Sequence, residues 1–180
     1  MTLAQPCEPL TDGVVVLRPW TIADLACVEA ASRDAGIPEM TTVPAAYSDA
    51  EGLAWIERQH GRLALGEGLA LAIADAADGV ARGQVNLLVR AETPGTLGIG
   101  YWLVADARGA GRATRAVDLL SRWALAQPEI DRIEAHVEPG NEPSQRVLER
   151  VGFRREALLR AYLEFPTRRA DALVYALVRG

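Results

Sequence analysis

Apolar residues recur along the chain at two spacings, one typical of strands and one typical of helices. Four apolar or β-branched runs in the first part of the chain predict strands, at residues 13–19, 69–74, 83–90 and 97–104. The turn signals Asp78-Gly79 and Pro94-Gly95 separate the last three runs. These three strands are therefore expected to form an antiparallel meander.

Helical spacing predicts two helices between the first strand and the meander, over residues 21–34 and 48–65. Each helix begins with a residue that can cap it, Thr21 or Ser48, and an acidic residue follows three positions later in both cases. Residues 35–47 lie between the two helices and contain one glycine and two prolines, which predicts a loop.

The best defined helix follows the third strand of the meander. Its apolar residues form a single stripe that ends at Pro128. Alternation then predicts a strand over residues 130–137, and Asn141 and Gly152 mark the two ends of a short helix. Two final strands are predicted, at about residues 153–165 and 169–178.

The predicted order of elements is βααβββαβαββ, without an internal repeat. A chain of 180 residues that is 49% apolar can bury a full core without disulfides or metal ions. We therefore expect a single domain over residues 1–180, of the α+β class.

The charge balance and the absence of lysine exclude several functions. The formal net charge is −5, so the chain lacks the basic surface that nucleic-acid binding requires. All 19 basic residues are arginine, which excludes Schiff-base chemistry and phosphate binding by a P-loop lysine.

Cysteine usage and hydropathy indicate a cellular compartment. Cys7 and Cys27 show neither a metal-ligand spacing nor a disulfide framework, so a reducing compartment is expected. The first ten residues have no basic segment followed by an apolar core, and no apolar run approaches the length that spans a membrane. These features predict a cytoplasmic protein with no bound metal and no membrane partner.

The stretch YWLVADARGAGRAT, residues 101–114, predicts a strand, a tight turn and the start of a helix. Glycines at such a junction allow several backbone N–H groups to point the same way, and the helix N-terminus adds a partial positive charge. Arg108, Arg112 and Arg115 follow one another with no acidic residue between them. The turn is therefore predicted to bind a phosphate or another polyanion.

Two common phosphate-binding loops do not match this turn. A Walker loop needs a lysine, and a dinucleotide-binding fingerprint needs a third glycine where Thr114 stands. The turn instead fits the pattern Arg-x-x-Gly-x-Ala at Arg108, Gly111 and Ala113.

This pattern resembles the pyrophosphate-binding turn of the GNAT superfamily of acetyl-CoA-dependent N-acetyltransferases. The resemblance extends along nearly the whole chain through four segments in matching order, LRPWTIADL, IGYWLVADARGAGRAT, PGNEPSQRVLERVGF and DALVYALV. Together they resemble the branch that includes the ribosomal-protein N-terminal (alanine) acetyltransferases. The resemblance implies a GNAT-type mixed, mostly antiparallel sheet of about six to seven strands flanked by about four helices.

The resemblance also implies acetyl-CoA as co-substrate, with its pyrophosphate held by the backbone amides of the turn. The implied binding residues of the turn are Arg108, Gly109, Ala110, Gly111, Arg112, Ala113 and Thr114. The strand before the turn, ending at Leu103 and Val104, is expected to splay from its neighbour so that the pantetheine arm lies in the opening. Asn141 is expected to contact the cofactor arm or to fix the local backbone, and it can also cap the helix that follows.

Direct acyl transfer from a thioester to an amine needs a base, a donor to the oxyanion and an acid for the sulfur. Ser144 stands where relatives carry a serine or tyrosine proposed as the acid, although its hydroxyl could equally bond the local backbone. Relatives often carry a glutamate just before the GYWL strand, where this chain has Gly98, or on the fifth strand. His136 on the fifth strand is the candidate base because histidine titrates near neutral pH, unless it is only a half-buried, hydrogen-bonded residue. Further candidates are Glu134, Tyr162 and Glu164.

Charge along the chain bears on the acceptor. Residues 129–142 contain five acids and one arginine, and they follow the arginine-rich turn, which would suit a cationic acceptor beside an anionic cofactor. The leading hypothesis is an N-acyltransferase acting on a protein N-terminal α-amine or a small amine. Two alternatives are open, a non-catalytic acyl-CoA sensor on the same scaffold and a longer donor such as succinyl-CoA, which would need an arginine such as Arg160 in the cleft. Domains of this family often pair through C-terminal strands or helices, which leaves a homodimer open.

Overall fold

The computed structural model describes residues 3–180, so Met1 and Thr2 of the predicted domain lie outside the described residues. Eight strands are present: β1 (Leu10–Thr11), β2 (Val15–Arg18), β3 (Gly68–Asp75), β4 (Ala81–Val89), β5 (Thr96–Leu103), β6 (Arg132–Val137), β7 (Arg154–Glu164) and β8 (Arg169–Val178). Five α-helices accompany them: α1 (Leu25–Ser32), α2 (Ile37–Met40), α3 (Asp49–Ala64), α4 (Arg112–Leu125) and α5 (Glu142–Val151).

The strands form one sheet in the order β1-β2-β3-β4-β5-β6-β8-β7. Each neighbouring pair is antiparallel except β5 and β6, which are parallel. The predicted meander is confirmed as β3, β4 and β5, and the mixed, mostly antiparallel α+β fold is confirmed with it.

Two short elements raise the counts above those predicted. β1 has only two residues and pairs with β2 across a turn in which the Asp12 carboxylate accepts the N–H groups of Val14 and Val15. The segment predicted as a loop contains the single turn α2, because the Asp34 carboxylate accepts the N–H groups of Gly36 and Ile37 at its start. Such side-chain caps are local, and the glycine and prolines around them obscured the helix.

Helices cover both faces of the sheet, and strand alternation shows which face each helix covers. Tyr101 and Trp102 are neighbours on β5 and therefore point to opposite faces. Tyr101 reaches Ser144 on α5, whereas Trp102 packs against Trp55 of α3. α4 and α5 therefore lie on one face, and α3 lies on the other.

Each face has its own packed core. On the α4 side, the predicted stripe is confirmed because Ala116, Val117, Leu120 and Ala124 are fully buried. On the α3 side, the rings of Trp20, Trp55 and Trp102 form one cluster with centroids 5.0 to 6.2 Å apart. The Trp20 indole donates to the Gln84 side chain at 3.0 Å, so this buried N–H has a partner.

The sheet opens between β5 and β6. These strands pair only over Thr96–Gly98 and Arg132–Glu134, whereas β5 stays paired with β4 as far as Leu103. Beyond Gly98 the two strands diverge, as the resemblance implied. The gap lies at the centre of the sheet and connects its two faces.

Candidate active site

A cleft of about 810 Å³ passes through the gap between β5 and β6. Its walls come from both faces of the sheet, so it joins the turn before α4 to the side covered by α2. The lining includes Met40 and Thr41 near α2, Asn86 on β4, Gly100 and Tyr101 on β5, His136 on β6, and Asn141 and Ser144 at the start of α5.

The turn between β5 and α4, residues 108–114, is here called the glycine loop. Gly109 and Gly111 have φ angles of 82° and 77°, in the left-handed region that glycine adopts without strain. Within the described part of the chain, the backbone N–H groups of residues 109–114 have no protein acceptor. Three of them belong to the first turn of α4, whose dipole adds partial positive charge. The loop thus offers an anion-binding surface made of main chain.

The arginine side chains of this segment are bound to acids from distant parts of the chain. Arg112 forms two hydrogen bonds with Asp75, at 2.6 and 3.1 Å, which is the main cause of the lowered pKa of that carboxyl. Arg108 bonds Asp34 at 2.6 Å and donates to the carbonyl of Leu103 at 3.0 Å, and Arg115 bonds Asp12 at 2.6 Å. The run of arginines in the sequence indicated free positive charge at the turn. In the structure their guanidinium groups are bound to carboxylates, and these bonds hold the glycine loop in place.

A further cation beside the glycine loop comes from α5. Arg150 lines the cleft near Thr114 and has no acidic partner among residues 3–180. Its neighbour Arg146 also lines the cleft and pairs with Glu142 at 3.1 Å, on an exposed surface where such a pair is weak. Positive charge near the loop is therefore supplied mainly by Arg150.

Ser144 is held between a helix cap and a buried tyrosine. Asn141 caps α5, because its side-chain oxygen accepts the N–H of Ser144 at 3.2 Å. The Ser144 hydroxyl lies 2.8 Å from the Tyr101 hydroxyl instead of bonding the local backbone. Burial raises the pKa of Tyr101 to about 12, with the Ser144 contact opposing that rise, so the phenol is neutral at physiological pH, and it donates to the Ser144 carbonyl at 3.1 Å.

Tyr101 lines the cleft, but sequence reasoning did not single it out. It belongs to the quoted YWLV segment, but nothing local distinguishes it from an apolar core position. Alternation along β5 could have indicated Tyr101. It turns Tyr101 away from Trp102 and toward the helix that carries Ser144.

His136 lies among charged groups on the opposite wall of the cleft. Its Nδ1 is 3.4 Å from the Arg90 guanidinium, and its Nε2 is 3.8 Å from the Glu134 carboxylate. Burial is the main cause of the lowered pKa of His136, repulsion by Arg90 adds to it, and Glu134 opposes it. The imidazole is therefore neutral near pH 7.

Arg90 also limits the space beside Gly98. A β-carbon at Gly98 would lie 3.3 Å from the Arg90 Nε and 3.4 Å from the Leu88 β-carbon. The space beside Gly98 is thus bordered by a guanidinium group.

Of the other candidate base residues, Tyr162 contacts a residue that lines the cleft and Glu164 lies on the surface. Tyr162 contacts the His136 ring edge to face at a centroid distance of 4.9 Å. Glu164 instead pairs with Arg169 at 2.8 Å on an exposed surface. Arg160, the arginine considered for a longer acyl donor, is exposed and is not among the described residues that line the cleft.

The acids of the segment after α4 are largely paired with arginines, Arg132 of the segment itself and others from different elements. Glu134 pairs with Arg132 at 2.7 Å and Glu138 pairs with Arg168 at 2.6 Å, and further pairs join Asp131 to Arg179 and Glu142 to Arg146. The net charge counted along this segment therefore does not act as a free negative field.

Residues 15–154, most of the chain, match the family described as "Acetyltransferase (GNAT) domain". The chain belongs to this family. A curated relative is the uncharacterized N-acetyltransferase p20 of Bacillus licheniformis, 37% identical over 81 residues. That match covers 45% of this chain and 46% of p20, so the chain spans about half the length of the curated relatives it matches.

Solved GNAT structures match over nearly the whole chain. RimJ of Mycobacterium smegmatis, solved in complex with CoA-disulfide, is 29% identical, with a TM-score of 0.80 over 95% of this chain and 86% of RimJ. The ribosomal-protein-S5-alanine acetyltransferase of Vibrio fischeri is 19% identical, with a TM-score of 0.76 over 96% of this chain and 97% of that one. The second likeness shows the fold alone.

Most residues predicted from the GNAT resemblance lie together in the cleft. Leu103, the glycine loop apart from Ala110, His136, Asn141 and Ser144 all line it. Val104 is buried instead and donates its N–H to the carbonyl of Arg82. Ala110 is exposed at the tip of the loop. Their role in binding is a matter for the proposal below.

Metal sites and membrane spans were also considered for this GNAT protein. Residues 3–180 include no cluster of three or more His, Cys, Asp or Glu side chains placed to hold a metal ion. In the same part of the chain, no helix combines the length and apolar character needed to cross a membrane.

Proposed function

We propose that this GNAT protein transfers the acetyl group of acetyl-CoA to a primary amine, either a protein N-terminal α-amine or a small amine. The observation that carries the proposal is the continuity of the cleft. It joins the free N–H groups of the glycine loop to Tyr101, Ser144 and His136 through the opening between β5 and β6. A donor can therefore enter from one face of the sheet and an amine from the other.

The chain's own groups fit acetyl-CoA as a co-substrate. The N–H groups of residues 109–114 suit a pyrophosphate, and Arg150 adds a positive charge nearby. Beyond Gly98, the main chain of β5 has no strand partner on its β6 side, so its polar groups are free to bond the amides of a pantetheine arm. Asn141 lines the same cleft and fixes the start of α5.

The chemistry follows from groups at the centre of the cleft. The amine nitrogen attacks the thioester carbonyl carbon, the C–N bond forms, the C–S bond breaks, and the amine loses a proton. His136, neutral near pH 7, is the proposed proton acceptor. Ser144, whose hydroxyl forms a hydrogen bond with that of Tyr101, is the proposed donor to the departing thiolate. An α-amine has an ordinary pKa near about 8, so a base of modest strength is sufficient.

The acceptor class is inferred from a structural neighbour. The Vibrio fischeri neighbour is named for acetylation of a ribosomal-protein alanine, which makes protein N-termini the first acceptors to test. Arg160 does not line the cleft, but Arg62 from α3 does, so a longer acyl donor is tested beside acetyl-CoA.

The test is a thiol-release assay with acetyl-CoA against N-terminal peptides, polyamines and aminoglycosides, together with calorimetric titration of CoA. Amine-dependent release is the expected result, and the responding amine identifies the acceptor class. CoA binding without release for any amine would support the sensor instead. Release with succinyl-CoA but not with acetyl-CoA would indicate the longer donor. Absence of CoA binding would contradict the assignment of the glycine loop.

A further inference from the structure

The backbone of β7 is strained at one residue, Ala161. Its φ angle is 48°, and it is the only residue other than glycine with a positive φ in the described part of the chain. A residue with a β-carbon adopts this conformation at an energetic cost and keeps it only where the surroundings enforce it. The position is therefore a place to look for function.

The strain belongs to a β-bulge that changes the direction of the following side chain. Leu159 pairs with Ala172 and Leu163 pairs with Ala170, so four residue steps on β7 face two on β8. Leu159 faces the same side of the sheet as His136, as the pairing of both strands with β8 shows. In a regular strand, a residue three positions further would face the other side.

Tyr162 occupies that position, yet its ring contacts His136 edge to face at 4.9 Å and 88°. The bulge thus brings Tyr162 to the side of the sheet on which the acceptor would enter. Tyr162 is 47% exposed, so it is not part of the core, and it contacts His136, which lines the cleft. His136 is then surrounded by Tyr162 from β7, Arg90 just after β4 and Glu134 from β6.

Two side chains from β8 hold the bulge in place. Asp171 accepts the N–H of Ala161 at 2.8 Å, and Arg169 donates to its carbonyl at 3.2 Å. The hydrogen bond to Asp171 contributes more to holding the bulge. The N–H of Ala161 has no acceptor on the neighbouring strand, and the Asp171 carboxylate supplies one.

We propose that the ring of Tyr162 forms one wall of the acceptor-amine subsite beside His136, and that Asp171 is a positioning residue that holds it there. The inference rests on the function proposed above. An amine arrives largely as an ammonium ion, which aromatic faces attract, and it then meets an imidazole that can take its proton. The hydroxyl of Tyr162 is not required in this role.

NMR tests the placement without any acyl transfer. The chain has two histidines, and His60 bonds the carbonyl of Trp20 far from β7, so it serves as an internal reference. In Tyr162→Ala, the ring-proton signals of His136 should move, and Asp171→Ala should move them the same way. Asp171→Asn keeps an acceptor oxygen and should restore the wild-type positions. Unmoved signals in Asp171→Ala would overturn the positioning role.

Kinetics test the subsite. Tyr162→Ala and Asp171→Ala should each raise KM for the amine about fivefold and leave KM for acetyl-CoA within about twofold. The double variant should equal either single one, since both remove the same contact. Tyr162→Phe should behave as wild type, and Arg154→Gln on the same strand is the matched control.

The outcomes separate the two proposals. Wild-type turnover with an unchanged amine KM in Tyr162→Ala overturns the subsite and leaves the function standing. A loss in Tyr162→Phe equal to that in Tyr162→Ala overturns the role given to the ring. No turnover with any amine contradicts the proposed function and the subsite together, and the NMR result still decides whether Asp171 positions Tyr162.

Discussion

The hydroxyl oxygen of Tyr101 lies 2.8 Å from the hydroxyl oxygen of Ser144, at the point where β5 faces the start of α5. Burial keeps the tyrosine protonated, and its hydroxyl also donates to the Ser144 carbonyl at 3.1 Å, so Tyr101 holds Ser144 in place at the cleft. Neither β5 nor α5 specifies this contact by itself, because the two residues are 43 positions apart in the chain.

Removing either hydroxyl should slow the chemical step without weakening CoA binding. We expect Ser144→Ala and Tyr101→Phe each to lower kcat about 10- to 100-fold, with the CoA Kd within about twofold, because the groups act on the leaving sulfur. Tyr175→Phe, which removes another buried tyrosine hydroxyl that bonds Glu149, is the matched control. An unchanged kcat in Ser144→Ala would exclude the proposed acid.

Gly111→Ala should weaken both the fold and CoA binding. A β-carbon there meets open space, so the cost is the positive φ of 77°, about 1–2 kcal/mol. The variant should lower the free energy of unfolding in urea by that amount and raise the CoA Kd as the loop N–H groups move. Gly140→Ala also meets open space, has no positive φ and should resemble the wild type.

Asp75→Asn should destabilise the protein in a pH-dependent way. Asp75 bonds Arg112 and Arg82, and these bonds hold its pKa below the ordinary value against the effect of burial. A carboxyl with a lowered folded pKa contributes stability above its ordinary pKa, and this contribution is lost as the pH falls through the folded value. We expect a loss of about 1–3 kcal/mol at pH 7 that disappears in acid, measured by urea unfolding.

The control for that prediction is Asp118→Asn. Asp118 pairs with Arg122 one helical turn away, where the arginine is 78% exposed. Its replacement should change stability by less than about 0.5 kcal/mol. An equal effect in both variants would contradict the anchoring role of Asp75.

Changing the charges beside His136 should move its pKa in opposite directions. Burial lowers this pKa and Arg90 lowers it further, so Arg90→Gln should raise it, whereas Glu134→Gln should lower it. If His136 is the base, the acid limb of the pH profile of kcat/KM should move with the pKa. NMR titration measures the shifts, with His60 as the internal reference.

The lowered pKa of His136 also affects the stability of the folded protein. A histidine whose folded pKa is lowered favours the neutral form, so its contribution is complete above its ordinary pKa of about 6.5 and is lost as the pH falls toward the folded value. Arg90→Gln should reduce this acid sensitivity between about pH 6.5 and the folded pKa. A pKa that does not move would show that Arg90 does not act on His136 in solution.

Regular elements could be predicted from the sequence because their causes are local. The stripe of α4, the alternation of β6 and the caps at Ser48 and Asn141 each depend on residues within a few positions of one another. The single-turn α2 was missed for a related reason, since the Asp34 cap that starts it lies among residues that usually break helices.

The sequence by itself determined the α+β class, the order of the main elements and the glycine loop, because spacing and backbone freedom are written along the chain. Only the tertiary structure decided which charges are free. It paired the loop arginines with Asp34, Asp75 and Asp12 and neutralised most of the acidic segment. It also joined Tyr101 to Ser144 and turned Tyr162 toward His136. Those relationships depend on strand register and on contacts between distant segments, which no local pattern specifies.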